Sequence, residues 1–141
     1  MAETRDDDEY DAWVIGLREY WGSGVVWSPE DDRIQSPVED EGSGLSAELI
    51  DHLRWWRARV DGTAEQASYQ SPPGMPFALF EAGRVLAQRI ADEVGEEFTV
   101  ELSFEGRMTR VRAARRARNP EARDFFAARA RAAAADRRYG A

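Results

Sequence analysis

The sharpest pattern in the chain is an alternation. Phe98, Val100, Leu102 and Phe104 are apolar, and Thr99, Glu101 and Ser103 between them are polar. A period of two predicts a strand with one face buried. If Glu105-Gly106 makes a two-residue turn, the chain returns as a second strand with Leu102 opposite Thr109 and Val100 opposite Val111. Glu101 then faces Arg110, a favourable cross-strand charge pair. Glu-Gly is a weaker turn former than Asn-Gly, so a helix after residue 106 is the competing reading.

Helical spacing governs three other stretches. Leu49, Leu53, Trp56 and Val60 recur at intervals of four, three and four and predict one buried stripe. Ser46 can cap that helix, Glu48 suits its positive end, Leu45 and Ile50 can form a staple, and Gly62 is the expected stop. A polar loop with Ser71-Pro72-Pro73-Gly74 follows. A second helix is predicted from Pro76 to Gly95, with Leu79, Gly83, Leu86, Ile90 and Val94 on one face. A mid-helix glycine costs about 1 kcal/mol against alanine, so Gly83 implies close approach of another element, such as the helix carrying Trp55 and Trp56. Asn119-Pro120 caps a last, alanine-rich helix from Glu121 to about Arg138.

Before residue 45 the pattern weakens. Tyr10, Trp13, Val14, Leu17 and Trp21 fit a helical stripe, while Trp13, Ile15 and Leu17 alternate as in a strand; Gly16 favours the strand. Gly22-Ser23-Gly24 turns into a short strand, Val25-Val26-Trp27. Residues 28–44, with two prolines, two glycines and clustered acids, are expected to be a loop. The elements add up to an α+β fold: a small, mostly antiparallel sheet with two packed helices in β-α-α-β-β order and a C-terminal Arg/Ala-rich helix. The expected division is an acidic segment at 1–11, an α+β domain at 12–113 and an arginine-rich helical extension at 114–141.

Composition adds a charge split. The 141 residues carry no lysine and a net charge of −8. Residues 1–106 hold 24 acids against 8 arginines, and residues 107–141 hold 3 acids against 11 arginines. Each half should attract what the other repels. A hydrophobic content of 43% is ample for one core at this length. Without cysteine there are no disulfides or thiolate ligands. No apolar run approaches the roughly 18 residues of a membrane span, and the acidic start is unlike a signal peptide, so a cytoplasmic protein without membrane contact is expected.

Catalytic readings find little support. His52 is the single histidine, so a two-histidine metal site is excluded. No Gly-x-Ser-x-Gly elbow supports a triad, and no glycine-rich phosphate loop or calcium loop occurs. The acidic runs Asp31-Asp32, Glu39-Asp40-Glu41, Asp92-Glu93 and Glu96-Glu97 read most simply as solvated faces. No enzymatic activity, cofactor or metal is therefore expected. Trp55 and Trp56 lie about 100° apart on a helix, so one of them can sit at the edge of the buried stripe and anchor an interface. The arginines of the last segment (Arg115, Arg116, Arg118, Arg123, Arg131, Arg137 and Arg138) leave three alternatives: packing on the chain's own acidic body or a second copy, docking on another protein, or contact with nucleic acid.

Several pieces resemble a group of small acidic actinobacterial proteins of unassigned activity: Gly44-Leu45-Ser46-x-x-Leu49, Leu53-x-x-Trp56, Phe80-x-x-Gly83-Arg84-x-Leu86-Ala87-x-Arg89, Glu93-x-Gly95 and the strand 98–102, together with Tyr20 and Trp27 upstream. The resemblance spans a little over half the chain. It implies a compact α+β fold and an immunity-like or accessory role in binding another protein. The arginine-rich segment departs from that pattern. The expected function is a non-catalytic protein whose acidic surface binds a basic partner protein, with Asp31, Asp32, Glu39, Asp40 and Glu41 as contacts and Trp55 as anchor. The alternative is a nucleic-acid-associated or assembly protein, of a phage particle for example, that uses the arginine-rich helix.

Overall fold

The computed structural model describes residues 13–18, 25–29, 35–38, 42–66 and 75–139. In chain order the elements are β1 (Val14–Arg18), β2 (Val26–Pro29), β3 (Gln35–Pro37), α1 (Ala47–Gln66), α2 (Met75–Val94), β4 (Thr99–Phe104), β5 (Arg107–Val111) and α3 (Pro120–Tyr139). The strands form one sheet in the order β3-β2-β1-β4-β5. Three of its ladders are antiparallel, and β1–β4 is parallel. The fold is α+β, as the periodicities predict, with a mostly antiparallel sheet.

The β4–β5 hairpin has the expected register: Val100 faces Val111, Glu101 faces Arg110 and Leu102 faces Thr109. Glu105 (φ 51°) and Gly106 (φ 74°) are both left-handed. That is the pattern of a type I′ turn, whose twist matches the strands it joins. Residues 14–18 are strand rather than helix. Ile15 pairs with Val100 and Leu17 with Leu102, so the apolar positions of both strands share the buried face.

The helices cover that face. α2 lies over β4 and β5, α3 lies over β2 and beside α2, and α1 packs along α2. Trp56, completely buried, reaches Phe104 and donates from its indole N–H to the Leu79 carbonyl at 2.9 Å. Gly83 is where these layers meet: a Cβ there would lie 3.0 Å from both Leu102 Cδ1 and Trp56 Cζ2. The close approach expected at Gly83 is thus supplied by α1 and β4 together.

Two boundaries differ from expectation. Residues 28–44 are not all loop, because β2 runs to Pro29 and Gln35–Pro37 forms β3. A three-residue strand with two polar positions and a proline has no alternation to read. Its stability comes from partners, including the Val38 N–H bonded to the Val26 carbonyl at 2.8 Å. Gly62 does not end α1, which continues to Gln66. The cost of one glycine is small against a helix already anchored by Leu49, Leu53, Trp56 and Val60. Gly95, by contrast, does stop α2 with a left-handed φ of 94°.

The last helix belongs to this core. Phe126, Ala122, Ala127, Ala130 and Ala133 are buried, and Phe126 meets Phe98 edge-on at 6.4 Å. Small residues at intervals of three to five let α3 approach closely, while its arginines lie to the sides.

Candidate functional site

Two surfaces concentrate polar and exposed apolar side chains. The first is the outer groove between α1 and α2. Glu48, His52, Trp55 and Arg59 are all exposed and repeat at helical spacing along the flank of α1 that faces α2. Arg89 of α2 donates to His52 Nδ1 and lies 3.6 Å from Glu48. One turn beyond His52 comes Trp55, and one turn before Arg89 comes Val85. Trp55 is 49% exposed and Val85 62%, whereas neighbouring Trp56 is fully enclosed. The Arg59 guanidinium stacks 5.2 Å from the Trp55 ring centre, a cation–π contact that partly covers the indole. The outer surface of α1 and α2 thus carries two exposed apolar side chains, Trp55 and Val85, with Arg59 stacked on the first.

The second is a polar junction where three helix ends converge. The carboxylate of Glu93, near the C-terminus of α2, accepts from the Ser46 N–H at 2.8 Å and the Ser46 hydroxyl at 2.6 Å. It also accepts from Asn119 Nδ2 at 2.9 Å, and Asn119 donates to the Gly44 carbonyl at 2.7 Å. Ser46 caps α1 through the Leu49 N–H, and Asn119 caps α3 through the Ala122 N–H, at 3.3 Å each. One anion thus serves the positive ends of two helices. The α2 carbonyls of Asp92 and Glu93 in turn accept the N–H groups of Arg118 and Asn119 at 3.0 Å. A shallow cavity of about 430 Å³ lies here, lined by Ser46, Arg89, Glu93, Arg118 and Asn119 among others. Its Ser46 and Asn119 side-chain donors are already consumed by Glu93. The reading of Asp92-Glu93 as a solvated face is corrected for Glu93, whose carboxylate is an internal tie.

The arginines divide into two groups. Arg123 binds Glu97 at 2.7 Å, and hydrogen bonding to Glu97 raises its pKa further above the ordinary arginine value. Arg129 forks onto the hydroxyls of Ser28, which is fully buried, and Ser36, at 3.0 Å from the latter. These two side chains fasten α3 to α2's turn and to the β2–β3 hairpin. Arg115, Arg116, Arg118 and Arg131 are exposed, and among the described residues none of the four side chains forms an ion pair. Arg137 and Arg138 fall within α3, but their side chains lie outside the described residues, as do Asp31, Asp32, Glu39, Asp40 and Glu41.

No group of three or more metal-ligating side chains occurs among the described residues, and no described helix is long and apolar enough to cross a membrane. Comparison with protein families, curated proteins and solved structures returns no match to this chain. Sequence reasoning missed Val85 and Glu93. Val85 was legible, since it falls off the stripe formed by Leu79, Gly83, Leu86, Ile90 and Val94. Glu93 was not, since its partners cap two other helices.

Proposed function

We propose that this protein acts by binding another protein, as an immunity-like inhibitor or accessory factor, in the cytoplasm. The observation that carries the reading is Trp55. A tryptophan left half exposed on α1, next in sequence to a tryptophan fully enclosed, suits the centre of an interface. The net charge of −8 steers association with a basic partner, for which Asp31, Asp32, Glu39, Asp40 and Glu41 are the candidate contacts, while desolvation around Trp55 sets the dissociation rate. The resemblance to small acidic actinobacterial proteins supports the same role.

The test is capture of the partner by the full chain in an extract of its native host, identification of the captured protein, and affinity measurement with the purified pair. Trp55→Ala is expected to weaken binding by roughly tenfold or more, the size of an aromatic hot spot, with thermal stability unchanged. Acid-to-amide changes at the five loop positions should slow association and flatten its salt dependence. A purified pair that binds Trp55→Ala as tightly as the natural chain would defeat the proposal.

The second reading, contact with nucleic acid or an assembling particle through the arginine-rich segment, draws on the exposed Arg115, Arg116 and Arg118. Replacing these three by glutamate should abolish any salt-sensitive oligonucleotide binding if that reading holds. Retained binding would end it.

A further inference from the structure

The two edges of the sheet are finished differently. β3 forms one edge with three residues and carries Pro37, which has no N–H to offer. β5 forms the other with five residues and no proline. The type I′ turn makes Phe104–Arg107 the closing hydrogen-bonded pair, so Leu102–Thr109 and Val100–Val111 are also hydrogen-bonded pairs. Ser103–Met108 and Glu101–Arg110 are the alternate kind. The backbone N–H and C=O groups of Met108 and Arg110 therefore point away from β4, and among the described residues no other backbone pairs with them. The groups that would build a sixth strand are in place and vacant.

The side chains along this edge have one sign. Residues 107–118 contain six arginines and no acid. Of these, Arg107, Arg110 and Arg112 belong to β5 or follow it directly, and all three are exposed. Arg110 meets Glu101 at 2.9 Å but keeps most of its side chain in solvent, and Arg112, among the described residues, reaches the Thr99 hydroxyl at 3.4 Å. Met108, 59% exposed, lies on the same helix-free face and borders a shallow cavity of about 340 Å³ shared with Arg18, Ser103 and the 105–107 turn. On the opposite face β5 presents Thr109 and Val111.

We infer that the β5 edge is a second binding site, which takes an extended acidic peptide segment as an added strand. Backbone pairing to Met108 and Arg110 supplies affinity, and alternate side chains supply selection. Acids on the helix-free face meet Arg110 and Arg112, and apolar residues on the other face meet Thr109 and Val111. Pairing of β5 with β5 of a second copy is disfavoured by the same charges, because it sets arginine beside arginine. A nucleic-acid strand would use the arginines but leave the outward amides unpaired. This site does not depend on the role proposed for Trp55.

The probe is a peptide of alternating valine and glutamate, compared with one of the same composition in two blocks and with a single-stranded oligonucleotide. The alternating peptide is expected to bind, and to slow amide hydrogen exchange at Met108 and Arg110 while leaving Arg107 and Thr109, already bonded to β4, unchanged. Arg110→Gln with Arg112→Gln should weaken it about tenfold, the scale of losing charge-assisted contacts, with only a small fall in melting temperature from loss of the Glu101 pair. Met108→Pro should also weaken it, since it removes an outward N–H and no bond to β4; the exchange measurement on the natural chain stands even if that variant does not fold. The proposal is overturned if peptide binding leaves Met108 and Arg110 exchange unchanged, if the blocked peptide binds equally, if the oligonucleotide binds more tightly through the same arginines, or if the free chain self-associates through β5.

Discussion

Residues 107–118, with six arginines and no acid, and α3, with five arginines and three acids, both carry a positive excess, yet they have different fates. α3 buries a row of alanines with Phe126 and turns Arg123 and Arg129 onto Glu97, Ser28 and Ser36. The preceding stretch buries only Ala113 and leaves its arginines in solvent. What separates them is the spacing of small apolar residues. A repeat of three to five aligns one face for packing and places arginines at its sides, where Arg123 and Arg129 reach fixed partners. A β-period of two, followed by an irregular Arg-Ala segment, offers no such face. A shared sign of charge therefore does not imply a shared role: on α3 Arg123 and Arg129 fasten, while Arg131 and the arginines of 112–118 are displayed.

The strongest way to break this comparison is to remove the apolar anchor of α3. Phe126→Ala should cost about 3–5 kcal/mol, the range for a fully buried aromatic, measured by urea denaturation. A loss below about 1 kcal/mol would mean that α3 is an appendage and not part of the core. The tie at the helix junction comes next. Glu93→Ala removes three accepted hydrogen bonds and leaves two helix N-termini without their anion. With charge-assisted bonds worth about 1.5–3 kcal/mol when buried, and partial exposure reducing that, a net loss of about 2 kcal/mol is expected by the same measurement. Glu93→Gln should recover part of it.

How much of this was legible differs by element. The hairpin register was read to the residue because alternation and the charge pair agreed, although Glu-Gly was a weak turn signal that left a helix after residue 106 as the competing reading. The capping residues Ser46 and Asn119 were readable too, each from its local chemistry. That both hydrogen-bond the same carboxylate on a third helix was not, because convergence over 47 and 26 residues of separation is set by packing. The parallel neighbour of β1 was hidden for the same reason, and β3 because its stability is supplied by other strands and by Arg129. At the candidate sites Trp55 was singled out from its position beside Trp56, but its companion Val85 was not. The vacant edge of β5 follows only once the strand order is known.

Arg129 tests the fastening role itself. Arg129→Met keeps a stem to lie against Phe125 but withdraws both donors from the Ser28 and Ser36 hydroxyls. Because Ser28 is fully buried, leaving its hydroxyl without this partner should cost about 1–3 kcal/mol. Arg129→Lys should recover only part, since an ammonium cannot reproduce the fork. If Arg129→Met were neutral, the inward arginines of α3 would be no different in kind from those displayed outside.

The smallest effect is the sharpest test, because it must be nearly zero. Arg115→Ala with Arg116→Ala removes two of the displayed charges and touches no buried contact. The backbone holds that segment instead, through the Glu96 N–H to the Arg115 carbonyl at 3.0 Å and the packing of Ala117 against Gly95, and alanine preserves both. The one stabilising contribution these side chains can make is at long range, toward the negative end of α2, and exposure and salt screen it. Stability should change by less than about 0.5 kcal/mol, with any residue vanishing at high salt. A loss as large as that of Arg129→Met would show that the displayed arginines are structural after all, and the physical basis for reading the β5 side of the molecule as a free surface would be gone.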